Sequence, residues 1–269
     1  MSMSHTIIVI PIYKSSPSKE ELASFKQCIN VLERHPICII THKELNLNEY
    51  LKYTKTEIQV KYFSHHFFRS INGYSDLLRT QNFYLSFKKY QYILIYQLDA
   101  WVFKDELQKW CNKGYDYIGA PWFEHYGCHE EGAKLWKVGN GGLSLRKTKR
   151  FIQLTNPKRR LKNTIEVFKS EYNNIKSIPT CILRALGHRN TIGYFHDYYY
   201  HINEDVYFCI ILSKFRNNRL YTPSPKEASE FSFERSPRNL YERNGGKLPF
   251  GCHAWEKYDK IFWNKHIKI

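Results

Sequence analysis

The apolar positions change period repeatedly along this chain, and each change marks an element. Thr6 to Ile12 is a β-branched run interrupted by Pro11 and emptied into Lys14-Ser15-Ser16-Pro17, the pattern of a strand running into a loop. Ser18 and Glu21 have the spacing of a capping box. Leu22, Phe25, Cys28, Ile29 and Leu32 then recur at helical spacing, so a first helix is predicted that stops before Pro36. Ile37 to Ile40 and Ile58 to Phe63 read as a second and a third strand. This alternation of strand, helix and strand predicts a mainly parallel sheet. Asn72-Gly73 and Ser75 mark a turn before a helix with Leu77, Leu78, Phe83, Tyr84 and Phe87 as its apolar positions.

Tyr92 to Tyr96 is an apolar run of strand length, and the polar pair Gln97 and Asp99 stands at its carboxyl end. In an open α/β sheet that end is where ligands bind. Residues two apart on an extended chain point to one side, so the Gln97 amide oxygen and the Asp99 carboxylate can face one ligand; equally, Asp99 can cap the loop. Beyond a short amphipathic piece at Leu107 and Trp110, Tyr115 to Trp122 reads as a strand ending in a tight bend. Gly139-Asn140-Gly141-Gly142 lacks three Cβ atoms, which suits either a hairpin turn or a close approach to a ligand. It fits neither a P-loop nor a dinucleotide fingerprint.

Arg146 to Lys162 is rich in Lys and Arg, and reads either as a solvated helix face or as a patch for a membrane or polyanion. Short helices are expected over 164 to 172 and 181 to 186. A longer one should run from Asn203 through Phe215, opened by Glu204 and Asp205, where the helix dipole favours acids with or without a catalytic task. His253 lies in a late loop after Pro249-Phe250-Gly251-Cys252. With no internal repeat and no low-complexity linker, residues 1–269 are expected to form one domain.

Composition narrows the class. The 269 residues are 42% hydrophobic and 16% aromatic, enough for a substantial core. A formal charge of +16 favours a polyanionic partner: nucleic acid, an anionic membrane surface or a phosphorylated substrate. Seven scattered cysteines with no C-x-x-C pair suggest neither a disulfide framework nor a zinc site, but reduced cytosolic thiols. The amino terminus lacks a basic leader, and no apolar stretch approaches the ~18 residues of a membrane span, so a cytoplasmic protein is expected.

Taken together, Gln97-Leu98-Asp99-Ala100, Tyr115-Asp116-Tyr117-Ile118-Gly119-Ala120-Pro121-Trp122, Gly139 to Gly142, Glu204-Asp205-Val206 and Pro249 to Trp255 resemble the motifs of a bacterial and viral glycosyltransferase-like family within the GT-A class of nucleotide-sugar enzymes. The resemblance covers about Tyr74 to Trp255. It implies a GT-A-like, Rossmann-like α/β fold with a mixed, mainly parallel central sheet flanked by helices. A nucleotide-binding half (1–100) and an acceptor-binding half (101–269) follow from it. It also implies transfer of a sugar from a nucleoside-diphosphate donor to a hydroxyl of a glycan or lipid-linked acceptor, inverting and dependent on Mn²⁺ or Mg²⁺, in polysaccharide, lipopolysaccharide or other glycan biosynthesis. By the same resemblance Asp99 and His253 are the metal ligands and Asp205, with its neighbour Glu204, is the catalytic acid/base position. Tyr13, Arg79, Gln97, Gly139, Asn140, Gly141 and Gly142 face the donor, and Trp122 and Tyr199 face the acceptor. Gln97 replaces the first acid of the class's Asp-x-Asp motif, and an amide is a weaker ligand for a hard cation than a carboxylate. Two other readings compete. A basic nucleic-acid-binding protein would need its cations gathered into a binding motif. A metal-dependent hydrolase would be expected to show H-x-H or H-E-x-x-H spacing, and neither pattern is present. The resemblance therefore implies a protein that binds no nucleic acid and touches an anionic membrane at most peripherally.

Overall fold

The computed structural model describes residues 6–54, 57–124 and 133–269. Its central sheet is built from β1 (Thr6–Pro11), β2 (Ile37–Thr41), β3 (Gln59–Tyr62), β4 (Tyr92–Tyr96), β6 (Tyr117–Ile118) and β9 (Leu143–Lys147) in the order β3-β2-β1-β4-β9-β6. The first four strands of that order are parallel, with Ile8 opposite Ile37 and Ile7 opposite Ile93; β9 runs antiparallel to both its neighbours. This is the mixed, mainly parallel α/β sheet expected from the alternation of elements.

The continuous apolar runs of β1, β2 and β4 are explained by burial on both faces. Ile7, Val9, Cys38, Ile40, Ile93 and Ile95 point into one core cluster, with Leu77, Leu78, Phe83 and Tyr84 from the helices Ile71–Arg79 and Gln81–Leu85. Ile8, Ile10, Ile37, Ile39, Leu94 and Tyr96 point into the other, under Phe25, Cys28 and Leu32 from the region of helix Lys19–Val31. The capping box at the start of that helix is formed, Ser18 accepting from the Glu21 amide and Glu21 from the Ser18 amide. A second, three-stranded sheet joins β5 (Trp101–Val102), β10 (Ser232–Phe233) and β11 (Gly251–Cys252) in the order β10-β11-β5. A third pairs β7 (Pro121–Phe123) with β8 (Leu135–Val138).

Several local expectations give way. Asn72-Gly73 is not a turn but lies inside the helix Ile71–Arg79, whose cap is Ser70. Gly73 is needed because a Cβ there would lie 2.5 Å from the His66 carbonyl oxygen. Tyr115 to Trp122 divides into β6 and β7, which belong to different sheets. The helix expected over 203–215 runs as one α turn, Glu204–Val206, then π-helical Tyr207–Ile211 and 3-10-helical Leu212–Lys214. The basic stretch 146–162 is no continuous face: Arg146 is fully buried, and helix Thr148–Leu154 buries Phe151 and Leu154. Arg150 and Arg159 donate to the backbone carbonyls of Asn217 and Arg219. Six cysteines are free and buried; Cys128 falls outside the described residues.

Candidate active site

The site begins where β4 ends. A turn closed by Ala100 N donating to Gln97 O (2.9 Å) sends Leu98 into the core and leaves Gln97 and Asp99 at the sheet's carboxyl edge. The chain continues into β5, which pairs antiparallel with β11, and this pairing brings His253 back across from Asp99. His253 Nε2 lies 3.1 Å from Asp99 Oδ1 and 3.2 Å from Gln97 Oε1. Strand β10 runs parallel to β11, its register setting Phe233 beside Cys252, so Glu234 follows at the level of His253. Glu234 Oε2 is 3.2 Å from His253 Nδ1, and the His253 amide donates to Phe233 O. Ala254, next in the chain, adopts a left-handed backbone (φ 50°), a costly conformation for a residue with a Cβ.

Burial alone would push the His253 pKa down, but Asp99 and Glu234 on opposite ring nitrogens hold it well above its ordinary value. The imidazole is therefore cationic, with both N–H groups donating. Burial likewise pushes Asp99 up, and the facing His253 more than offsets it, leaving Asp99 below the usual carboxylate range and ionised. Two carbonyl-type oxygens and one imidazole nitrogen thus converge, a donor set suited to Mn²⁺ better than to the all-oxygen preference of Mg²⁺. A cation that replaced the Nε2 proton would leave Nδ1–H on Glu234, the arrangement that orients metal-bound histidines. The residues fit the ion.

The Gly139–Gly142 loop is not a hairpin, because β8 and β9 on either side of it belong to different sheets. Asn140 holds a left-handed conformation (φ 60°), accepts from Trp122 Nε1 at 3.0 Å and receives the Tyr117 hydroxyl on its carbonyl at 2.9 Å. The missing Cβ atoms make room for the protein's own side chains. A Cβ on Gly139 would lie 2.0 Å from the Trp122 indole, one on Gly141 2.1 Å from Glu204 Oε1, and one on Gly142 1.9 Å from His253 Nε2. The close approach at all three glycines is therefore made by the protein's own side chains.

Glu204 and Asp205 have separate surroundings. Glu204 is buried, its Oε1 2.7 Å from Nη2 of the fully buried Arg146, with the Ser75 hydroxyl 3.5 Å from Oε2. Arg146 is itself held by Tyr84 OH and Ser144 Oγ, both at 3.0 Å. Asp205 is only partly buried and lines the open cleft, with Oδ1 accepting from the Val206 amide at 2.7 Å. Burial, then the nearby Glu204 charge, raises its pKa from 3.8 to about 7.

These groups line one cleft of about 670 Å³, within the size range of small-molecule sites. Tyr13, Gln97, Asp99, Trp122, Asn140, Gly141, Gly142, Glu204, Asp205 and His253 all reach it. Gly139 sits behind, under the Trp122 ring. Arg79 and Tyr199 are displaced from their expected places. Arg79 is 2% exposed and donates to the carbonyls of Tyr199 and Tyr200 and to Asp76, so it staples the aromatic loop before Asn203. The Tyr199 ring packs against Phe195 and Tyr198, away from the cleft lining. Arg69 also lines the cleft; Arg235 and Lys257, which do so too, and Glu234 beneath His253 are additions that no local sequence signal singles out. Among the described residues, a trio of ligand-type side chains within 4.8 Å of one another is found elsewhere, at His42, Glu44 and His65, beside the rim residue Phe68. No helix of the described residues is long and apolar enough to cross a membrane.

Residues 57–253 match the family described as "Protein of unknown function (DUF5672)". No curated protein matches the chain. Among solved structures, A197 from STIV is similar at 15% identity and a TM-score of 0.36, over 81% of this chain and 79% of that one. A glycosyltransferase involved in the glycosylation of the major capsid of PBCV-1 is similar at 12% identity and a TM-score of 0.40, over 97% of this chain and 98% of that one.

Proposed function

The chain belongs to that family of proteins of unknown function, and from its cleft we propose that it is a GT-A-type glycosyltransferase, moving a sugar from a nucleoside-diphosphate donor to an acceptor hydroxyl of a glycan or lipid-linked molecule. The observation that carries the proposal is the division of labour within one cleft. Asp99, His253 and Gln97 gather at the sheet edge, while a separate carboxylate, Asp205, lines the same cleft from the helix Glu204–Val206.

In this reading Asp99 and His253 hold a divalent cation, Mn²⁺ by preference, with Gln97 Oε1 beside them; when bound, it neutralises charge growing on the departing diphosphate. Glu234 fixes the His253 ring. Arg69, Arg235 and Lys257 add positive charge along the cleft where phosphate oxygens bind. Tyr13, more than half exposed at the rim, and Asn140 meet the donor, and Trp122 gives the acceptor an apolar face. Asp205 takes the proton from the acceptor hydroxyl, and a pKa of about 7 makes it a stronger base than an ordinary carboxylate while leaving it largely ionised above neutrality. Attack from the side opposite the leaving group inverts the anomeric carbon. Glu204, paired with Arg146, is a structural anchor whose charge, after burial, helps raise its neighbour's pKa. The six buried, unpaired thiols suit a reducing, cytoplasmic setting.

The test is a panel of nucleotide sugars screened by thermal unfolding with and without Mn²⁺. A true donor at about 100 times its Kd adds ~2.7 kcal/mol of stability. The expected result is stabilisation by one donor class, strengthened by Mn²⁺ in the wild type and indifferent to it in Asp99→Asn. A panel that leaves the unfolding temperature unchanged at millimolar donor, with or without Mn²⁺, counts against the proposal.

A further inference from the structure

The segment between helix Thr148–Leu154 and helix Ile192–Tyr198 carries a pattern that the cleft does not use. Helix Ile178–Ala185 turns its small residues inward, with Cys181 and Ala185 buried, and its large aliphatic ones outward. Ile182 is 47% exposed, Leu183 53% and, at the cap, Leu186 71%. At about 100° per residue, Pro179, Ile182, Leu183 and Leu186 fall within about 100° of one another, so they form one stripe. Ile175, 78% exposed in the turn before the helix, extends it. A helix that merely covers a core has the opposite polarity, with its large apolar side chains inward.

The segment that carries the stripe is strongly cationic. From Lys158 to Arg189 there are eight Lys and Arg and two acids, and both acids are engaged. Glu166 caps the helix Thr164–Glu171 through Asn163, and Glu171 pairs with Lys162 and Arg184. Lys158, Arg160, Lys169, Lys176 and Arg189 are exposed and make no ion pair with the described residues. Tyr172, 48% exposed at the end of the helix Thr164–Glu171, adds an amphipathic ring of the kind that settles at membrane interfaces.

We propose that this helical hairpin is a docking surface for an anionic lipid bilayer: the Ile175–Leu186 stripe enters the headgroup and acyl boundary while the five uncompensated cations contact lipid phosphates. Charge selects this occupant. A second copy of the chain would bring two such cationic rims together, and nucleic acid offers phosphates but nothing to cover a row of isoleucine and leucine side chains. The inference rests on residues outside the cleft and stands whatever reaction the cleft performs.

The experiment is co-sedimentation of the full chain with phosphatidylcholine vesicles, with and without phosphatidylglycerol, at low and at physiological ionic strength. Binding is expected only with the anionic lipid, weakened by salt. Ile182→Asn with Leu186→Asn should lower vesicle affinity at least ~10-fold, since each removes a side chain that the bilayer would bury. Lys158→Glu, Lys169→Glu and Lys176→Glu together should lower it on the order of 100-fold. Ile261→Asn, an equally exposed aliphatic position on another element, should bind as wild type. Far-ultraviolet circular dichroism and melting of each variant verify the fold. Absence of binding at low ionic strength, binding indifferent to the stripe substitutions, or a wild-type dimer that those substitutions dissolve would each overturn the proposal.

Discussion

Replacing Asp205 with Asn should make the protein inactive and more stable at once. Shifting an aspartate pKa from 3.8 to about 7 means that ionising it in place costs on the order of 4 kcal/mol more than in the unfolded chain, at 1.36 kcal/mol per pKa unit. The sign follows from proton binding. Between about pH 4 and pH 7 the folded protein keeps the Asp205 proton while the unfolded chain has released it, so stability falls as pH rises through that window. Above pH 7 the penalty is complete. Asparagine cannot ionise, so the gain of Asp205→Asn over wild type should be about 1 to 2 kcal/mol at pH 5 and approach 4 kcal/mol above pH 8. Urea unfolding of both proteins at pH 5, 6.5 and 8 measures this directly, and kcat on the same samples should fall ~10²-fold or more. An Asn variant less stable than wild type at pH 8, or a stability difference that ignores pH, would refute the raised pKa. Near-normal turnover would refute the base.

The neighbouring acid should behave in the opposite way: Glu204→Gln strands the fully buried Arg146 and should cost about 3–5 kcal/mol in urea unfolding. Gly142→Ala puts a Cβ 1.9 Å from His253 Nε2, so it should displace the ring, cost about 1–3 kcal/mol and raise the Mn²⁺ concentration needed for donor binding, as read from a Mn²⁺ titration. Glu234→Gln should weaken Mn²⁺ binding about 10- to 100-fold without touching the ion. Because His253 starts protonated, Mn²⁺ must displace a proton; its affinity should rise about tenfold per pH unit below the His253 pKa, and calorimetry in two buffers should show the proton's release.

Much of the sheet was legible because β1, β2 and β4 are buried on both faces, and uninterrupted apolar runs of strand length have few other uses. The local helix signals were less secure. Asn72-Gly73 reads as a turn by composition, yet Gly73 serves a close contact with the His66 carbonyl that only the packed structure reveals. Asp99 and His253 were nameable from their motifs. Their meeting at 3.1 Å depends on the antiparallel pairing of β5 with β11, which no local spacing encodes. Glu234 had no signal, since its place beside His253 follows from the register of β10 on β11. Arg146 looked like part of a basic surface because charge patterning cannot tell a solvated arginine from one buried against Glu204. Arg79 failed as a donor contact for a similar reason: two of its three partners are backbone carbonyls, which have no residue identity to read.

The central claim is that Asp99, His253 and Asp205 serve one sugar transfer, and donor hydrolysis tests it most directly because it requires no knowledge of the acceptor. Purified chain would be incubated with each nucleotide sugar and Mn²⁺, with release of the nucleoside diphosphate as the readout and water taking the acceptor's place. The account predicts release from one donor class, dependent on Mn²⁺, and lost in Asp99→Asn and in Asp205→Asn. No release from any donor, or release that persists undiminished in both variants, would contradict it.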